Sequence, residues 1–297
     1  RAIETALLRR ENQELRLRAG PEDELIGRAP VINQLRTSIE KVAPTGSRVL
    51  IGGPAGAGKE VVARMIHARS KRSEGPFVIV NCAALSADRL ESELFGIEDP
   101  EPVGGKLSEG ERAPRKLGLL EQAHGGTLLL DEVADMPLET QGKIVRVLQE
   151  QTFQRVGGRV KIKVDARVIA ATSADLQTEI EVGQFRQDFY YRLAVVPLRV
   201  PPLTDRRDDI PEFVNAFLRR AAEATGVRAR VVGDDAMAAL QAHDWPGNVR
   251  QLRNVVDWLL IMAPGDPSEQ IKAEMLPAEI SSSAPGTIQW EHGRETM

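Results

Sequence analysis

The stretch Arg48-Val-Leu-Ile-Gly-Gly-Pro-Ala-Gly-Ala-Gly-Lys59-Glu60-Val61 decides how this chain is read. A short β-branched run, Arg48–Ile51, passes into a glycine-rich segment made of Gly53, Pro54, Ala55, Gly56, Ala57 and Gly58. A helical pattern over Glu60–Ser70 follows at once. Glycines at this spacing let backbone N–H groups approach phosphate oxygens, and a helix start behind them adds the positive end of its dipole. Lys59 then reaches the β/γ oxygens of a nucleotide, and Glu60 and Val61 belong to the same binding segment. A glycine-rich turn with no ligand is the plainer reading; the strand before and the helix after favour a phosphate loop. Glu60 stands where the general pattern has Ser or Thr to ligate Mg²⁺, so such an ion must rely on water and on another carboxylate.

Thr127-Leu-Leu-Leu-Asp131-Glu132 supplies that carboxylate. An apolar strand ending in two acids places charge at the carboxyl edge of a parallel sheet, where ligands bind in such folds. Asp131 would hold the Mg²⁺ shell, through water, and Glu132 would polarise an attacking water. Asn81 ends the run Phe77–Asn81 and has two open readings. It hydrogen-bonds Glu132 and holds it off the water, or it caps the helix that follows.

Outward from these motifs the pattern alternates. β-branched runs at Arg48–Ile51, Phe77–Asn81, Thr127–Asp131, Ala166–Ala171 and Val195–Val200 are separated by helical stretches such as Glu60–Ser70 and Leu138–Glu150. Strands bounded by helices on both sides predict an α/β fold with a five-stranded parallel sheet flanked by helices. After Pro201-Pro202 only helical patterns remain, at Ile210–Thr225, Asp234–Ala242 and Val249–Met262. The expected organisation is a linker helix at 1–20, an α/β subdomain at 21–203, a small all-α subdomain at 204–277 and a flexible linker at 278–297. In the first segment Leu8, Asn12 and Leu15 fall at d, a and d of a heptad, which suits a short coiled coil or a solvated helix equally. Residues 22–47 hold one amphipathic helix with Val31, Leu35, Ile39 and Val42 near helical spacing.

Composition narrows the class further. The 297 residues carry 39 Lys+Arg against 43 Asp+Glu, a net charge of −4, with 42% apolar residues. These proportions exclude disorder throughout, and no run approaches the ~18 apolar residues of a membrane helix. Cys82 is the single cysteine and cannot form an internal disulfide, so a cytoplasmic setting is expected. It reads as packed rather than reactive. His67, His124, His243 and His292 lack metal-ligand spacing. A mildly acidic chain has no overall electrostatic footprint for nucleic acid. Because it opens at Arg1 inside a helical pattern, it reads as a fragment of a longer protein.

A family resemblance appears once the motifs are taken in order. Gly53–Glu60, Val80-Asn-Cys-Ala-Ala-Leu85, Glu93-Leu-Phe-Gly96, Gly125-Gly-Thr-Leu-Leu-Leu-Asp-Glu132, Phe185-Arg186 with Tyr190-Tyr-Arg192-Leu193, and Trp245-Pro-Gly-Asn-Val-Arg250 all resemble the AAA+ domain of bacterial enhancer-binding proteins, the sigma-54-type transcription activators. In that family Glu commonly follows the loop lysine, as Glu60 does here. The resemblance spans about residues 24–277 and implies a ring-forming, Mg²⁺-dependent ATPase with a helical lid. It implies that Arg186 and Arg192 are arginine fingers reaching the γ-phosphate held by a neighbouring subunit; the plainer reading pairs either one with an acid such as Asp188. It further implies that Arg250 is the sensor II arginine, that Thr172 belongs to sensor I and that Ile26 and Gly27 pack on the adenine. Trp245 and Pro246 then form a packed turn. Ser173 replaces the Asn found beside Thr172 in the family, which weakens the expected coupling of hydrolysis to movement.

One departure is informative. Between Glu93-Leu-Phe-Gly96 and Gly125 the family carries the loop GAFTGA, which contacts sigma-54. This sequence has Pro100-Glu-Pro-Val-Gly-Gly105 instead, within an acidic stretch. The Phe-Thr pair is gone, so sigma-54 engagement in the family's manner is not expected, although an ordinary divergent insertion is the plainer reading. The departure resembles a subgroup of nitrogen-related response regulators, the NtrX type. In full length that implies a receiver domain served by a sensor histidine kinase, then this module, then a DNA-binding helix-turn-helix, with homo-oligomers from dimer to hexameric ring. Two functions remain open: an ATP-hydrolysing regulatory module, or a nucleotide-gated oligomerisation switch with little turnover. A branch-migration DNA motor shares the core, but the motif set and acidic balance disfavour it.

Overall fold

The computed structural model describes residues 24–98, 116–226, 230–263 and 269–281. The linker helix expected at 1–20 and the substituted loop Pro100–Gly105 lie outside them. The chain divides into two compact units. One gathers Leu35–Gly52 and Lys59–Arg199; the other gathers Ile26–Gln34, Gly53–Gly58 and the described part of Val200–Met297.

The first unit is built on a parallel sheet of β1 (Val49–Gly52), β2 (Phe77–Asn81), β3 (Thr127–Asp131), β4 (Arg167–Thr172) and β5 (Val196–Arg199), in the order β2-β3-β4-β1-β5. The side chains explain the order. β4 is buried at all six positions and β3 at its first four, the near-continuous burial of central strands covered on both faces. β5, at the edge, alternates half-buried and exposed residues. The helix α2 (Lys59–Ala68), after α1 (Pro30–Val42), packs on β1, β3 and β4. On β2 lies α4 (Leu119–Gln122), which also meets α3 (Ala87–Phe95). The helix α5 (Leu138–Glu150), then α6 (Leu176–Glu181), then α7 (Gln187–Leu193) complete the unit, with α7 against α5 and β4.

Strands β2 and β3 and helix α5 fall where the apolar runs place them, whereas β1, β4 and β5 shift by about one residue. In α1 the buried face is Ile32, Leu35, Ile39 and Val42, and Val31 is exposed. The expected stripe therefore holds from Leu35 onward but starts one residue late, because Ile32 lies three before Leu35 and completes the same face.

Leu128, Leu130, Leu90, Leu94 and Phe189 anchor one contiguous core of this unit. Leu130 is fully buried on a central strand. Leu130→Ala should cost about 3–5 kcal/mol by urea denaturation, the range for large-to-small changes at sites that cannot collapse. A loss below ~1 kcal/mol would contradict this core assignment.

The described residues on either side of 99–115 are paired. Gly96–Ile97 pairs antiparallel with Lys116–Leu117. The buried Arg155 guanidinium joins Glu98 (Nη1 to Oε2, 2.6 Å) and Glu121 (Nη2 to Oε2, 2.7 Å). Both carboxylates raise its affinity for its proton, so the clasp stays charged.

The second unit is helical: α8 (Ile210–Thr225), α9 (Asp234–Ala242), α10 (Asn248–Met262) and a last turn, α11 (Ala278–Ser281). Phe213, Leu240, Trp245, Leu252 and Ile280 share its core, and Ile26 packs against it. Trp245 is 1% exposed, its indole N–H donating to the Leu240 carbonyl at 2.7 Å. The segment 278–297, expected to be linker, thus starts with an ordered turn whose Ile280 is buried; an apolar anchor one residue before the Ser-rich run was not weighed in the sequence. Residues 282–297 lie outside the described ones. Among the described residues no helix is long and apolar enough to cross a membrane.

Candidate active site

Parallel pairing brings the chemistry-bearing residues to one edge of the first unit. Asn81 stands opposite Asp131 and Gly52 opposite Thr172, so β2, β3, β4 and β1 end together at the carboxyl side of the sheet. From that edge the chain leaves β1 into Gly53–Gly58 and returns at Lys59, the first residue of α2.

Glu132 follows β3 with φ 48° and ψ 55°. A non-glycine residue in the left-handed region costs about 1–3 kcal/mol and persists only where its surroundings impose it. Here both carboxylate oxygens are engaged. Lys59 Nζ lies 3.0 Å from Oε1, and the Ser173 amide and hydroxyl both donate to Oε2 at 2.8 Å. Burial pushes the Glu132 carboxyl up, but the Ser173 hydroxyl, Lys59 and the Ser173 amide together hold it below the usual carboxylate range. Asp131 goes the other way. Burial and then the Glu132 charge raise it, with a further push from Glu60, against the pull of Lys59. The buried Lys59 ammonium thus sits against the Glu132 carboxylate, with Asp131 close enough to feel both charges, and among the described residues no group of three or more acids, His or Cys is gathered to hold a metal ion.

Several expected partners fall elsewhere. The Asn81 side chain accepts from the Ala83 amide at 3.0 Å and caps the short turn Cys82–Ala84, so of its two readings the cap is the observed one. Glu60 is exposed and pairs with Arg64 one helical turn on, at 2.7 Å. Cys82 is buried, and burial with Asp131, Asp135 and Glu132 nearby pushes its thiol up to about 12, which makes it a packing residue. Arg186 forms a two-point pair with Asp188, at 3.0 and 2.9 Å, on an exposed surface. That is the acid pairing the sequence left open for it. Arg192 lies beside Gln149, whose carbonyl oxygen, once the amide is oriented by its neighbours, accepts from Nη2 at 2.6 Å.

Ser173 has a contact that the sequence did not point to. In the sequence it counts only as a missing Asn, yet it supplies two of the three hydrogen bonds to Glu132. Thr172 shapes its approach: its Oγ1 accepts from the Ala174 amide at 3.1 Å and forms the turn that presents Ser173. The available signal was a hydroxyl just past a strand end. What hid its role was the neighbour relation of β3 and β4, which no local spacing encodes.

The second unit holds the loop itself. Ala57 N donates to Pro54 O at 3.2 Å, closing a tight turn, and Gly56 has φ +73° with the Gly247 carbonyl where a Cβ would stand. Any side chain there both strains the backbone and collides. In the same unit Gly27 has φ +117° beneath Asp209, whose Oδ1 accepts from the Arg28 and Ala29 amides at 2.7 and 2.9 Å. Arg250 donates its backbone N–H to Gly56 O at 3.2 Å, and its side chain is exposed.

Residues 25–199 match the family model of the sigma-54 interaction domain, and residues 204–291 match that of the AAA+ ATPase lid domain. The chain is 54% identical over 297 residues to the nitrogen assimilation regulatory protein NtrX of Azorhizobium caulinodans, and covers 63% of that protein. A solved structure of NtrX from Brucella abortus in complex with ADP has a TM-score of 0.82 at 53% identity, covering 94% of this chain and 61% of that one. The same protein in complex with ATP gives a TM-score of 0.81 at 53% identity, covering 94% and 62%. This chain thus spans less than two thirds of the length of each of these relatives. Carrying the AAA+ P-loop fold and matched by the family model over more than half its length, the chain belongs to the sigma-54 interaction domain family.

Proposed function

We propose that this chain is the ATP-binding and ATP-hydrolysing central module of a two-component response-regulator transcription factor, working in the cytoplasm as a nucleotide-dependent homo-oligomer. The observation that carries the reading is Glu132, ionised and held 3.0 Å from the Lys59 ammonium at the end of β3. ATP bound to the NtrX relative supports the choice of ligand. In this reading the amides of Gly53–Gly58, with Glu60 and Val61 beyond them, cradle the phosphates. Lys59 neutralises the β/γ oxygens, Ile26 and Gly27 border the adenine, and Arg250 and Thr172 sense the nucleotide.

A magnesium ion held near Asp131 would neutralise charge on the phosphates. Glu132 would take up the proton of the attacking water once Lys59 has turned to phosphate, and Arg186 and Arg192 would stabilise the γ-phosphoryl charge of a neighbouring subunit. Residues 21–203 act as the catalytic subdomain and 204–277 as its lid, flanked by linkers at 1–20 and 278–297. In the whole protein, kinship with response regulators supports a receiver domain, a partner histidine kinase and DNA contact through a helix-turn-helix beyond this chain. With Pro100–Gly105 in place of GAFTGA, remodelling of sigma-54 is not part of the proposal.

Steady-state turnover with Mg²⁺, measured against concentration of this chain over about two decades, tests it. The specific rate should climb with concentration, since each site needs a neighbour's arginine. A rate at background throughout, despite ATP binding, overturns hydrolysis.

A second reading has its own support. Glu132 has both oxygens occupied and Arg186 is paired with Asp188, a resting state suited to a nucleotide-gated assembly switch with little turnover. Under it Ser173→Ala releases Glu132 and raises turnover roughly tenfold, the worth of one hydrogen bond to a charged group. A fall in turnover would instead assign Ser173 to holding Glu132 in its working position.

A further inference from the structure

The phosphate loop and the lid belong to one compact unit, and three successive loop carbonyls each accept from a different lid donor. Asn248 Nδ2 donates to Ala55 O at 3.0 Å, the Arg250 amide to Gly56 O at 3.2 Å and Arg206 Nη2 to Ala57 O at 2.8 Å. Peptide planes are rigid and trans, so holding the carbonyl of one residue aims the N–H of the next the opposite way. The bonds to Ala55 O and Ala57 O therefore aim the amides of Gly56 and Gly58, while the amide of Ala57 stays turned inward on Pro54 O. A glycine-rich loop left free would pay for that ordering whenever a ligand arrived.

Two of the donors look costly for a purely structural task. Asn248 is 4% exposed and sits at φ 52°, the left-handed region, with its Oδ1 accepting from the Leu203 amide at 2.8 Å. Arg206 is 2% exposed, yet among the described residues its Nε and Nη1 find no partner. Its guanidinium lies over the Phe213 ring at 5.3 Å, and the nearby Asp209 also leaves Oδ2 unpaired. Burial lowers the Arg206 pKa to about 10, so the cation is kept at a desolvation cost that an apolar side chain of similar volume would not carry. Strain at Asn248 and an under-satisfied buried charge at Arg206 converge on the carbonyls of one short turn.

We propose that Asn248 and Arg206 are positioning residues of the nucleotide site, holding the carbonyls of Ala55 and Ala57 toward the lid so that the loop amides are aimed at phosphate before it binds. This rests on the nucleotide reading above and adds to it that the lid prepares the loop. Through the same bonds, a filled loop stiffens the start of α10.

The test uses the whole chain with a fluorescent ADP analogue, alongside thermal unfolding without nucleotide. Asn248→Asp keeps the acceptor for Leu203 and removes the donor to Ala55; Arg206→Met keeps volume and removes the donor to Ala57. Each should weaken ADP binding about ten- to a hundredfold, the worth of a charge-assisted or buried hydrogen bond. In both variants the loss of affinity should exceed what any fall in melting temperature accounts for, because Arg206→Met also leaves the buried Asp209 without its nearby cation, whereas a merely structural residue would lose binding only in step with stability. In the unaltered chain, ADP should slow hydrogen exchange at the first turns of α10, whether or not either variant folds.

Wild-type affinity in folded variants, affinity lost only in step with stability, or no ADP-dependent protection of α10 would each overturn this inference alone. Failure of the unaltered chain to bind ADP would overturn the nucleotide reading and this inference together.

Discussion

Glu132→Gln should leave ATP binding within a few-fold of the original and reduce turnover about 10²–10⁴-fold, the contribution of a positioned general base. The amide keeps the size and the left-handed backbone of Glu132, and its carbonyl still accepts from Ser173. What it loses is basicity. The charge change has a second consequence at Asp131, whose pKa is raised first by burial and next by the Glu132 charge. With that charge removed, Asp131 falls back toward its ordinary value and remains ionised to lower pH.

The two acids also have opposite effects on stability. The Glu132 pKa is depressed in the fold, so its stabilisation is fully present above the unfolded value, near 4.3, and is lost as pH falls through the depressed one. Asp131 is raised, so its ionisation destabilises the fold, and the penalty disappears as pH falls through the raised value. Binding of a non-hydrolysable ATP analogue, single-turnover chemistry and an acid unfolding series on the same variant separate these effects. Unchanged single-turnover chemistry would remove Glu132 as the base. Lost binding would make the carboxylate a ligand instead.

The strand Thr127–Asp131 was legible because burial on both faces demands an unbroken apolar run, and the acids at 131 and 132 mark the carboxyl end of the sheet; the edge strand Phe77–Asn81, half-buried at three positions, was legible from its β-branched run alone. The phosphate loop was legible for the same local reason: strand, glycines and helix are contiguous in the chain. Contacts between strands that are distant in sequence were not. The Glu132–Ser173 bonds depend on β3 and β4 being neighbours, although 35 residues of other structure separate the two strands. The sheet order β2-β3-β4-β1-β5 is set by crossovers that periodicity does not encode. Asn81 shows why one of its two readings prevailed. It does lie beside Asp131 in register, yet a local amide at Ala83 outcompetes the long-range carboxylate. A short side chain satisfies the nearest donor first, at the smallest entropic cost. Val31 failed for a simpler reason, since Ile32 completes the same helical face at better spacing.

Arg186→Ala and Arg192→Ala should each lower turnover about 10³–10⁵-fold while leaving nucleotide affinity within a few-fold, because an arginine finger acts on charge that develops only in the transition state. The observed pairing does not stand in the way. The Arg186–Asp188 pair is 46% and 49% exposed, and exposed pairs are worth about 0–1 kcal/mol, far less than a phosphoryl oxygen offers the same guanidinium. Among the described residues the partner shown for Arg192 is the neutral amide of Gln149, and its neighbour Arg48 is also cationic, so this surface would welcome an anion. Mixing two inactive variants distinguishes action across subunits from action within one. A Glu132→Gln protomer keeps both arginines but cannot activate water. An Arg192→Ala protomer keeps Glu132 but has lost its own finger. If the arginine serves the neighbouring subunit's nucleotide, the mixture recovers turnover at every interface where the first protomer's Arg192 faces the second protomer's site, and neither variant alone does. A mixture no faster than its components, at concentrations where both assemble, would place Arg192 in its own subunit's site and end the trans assignment.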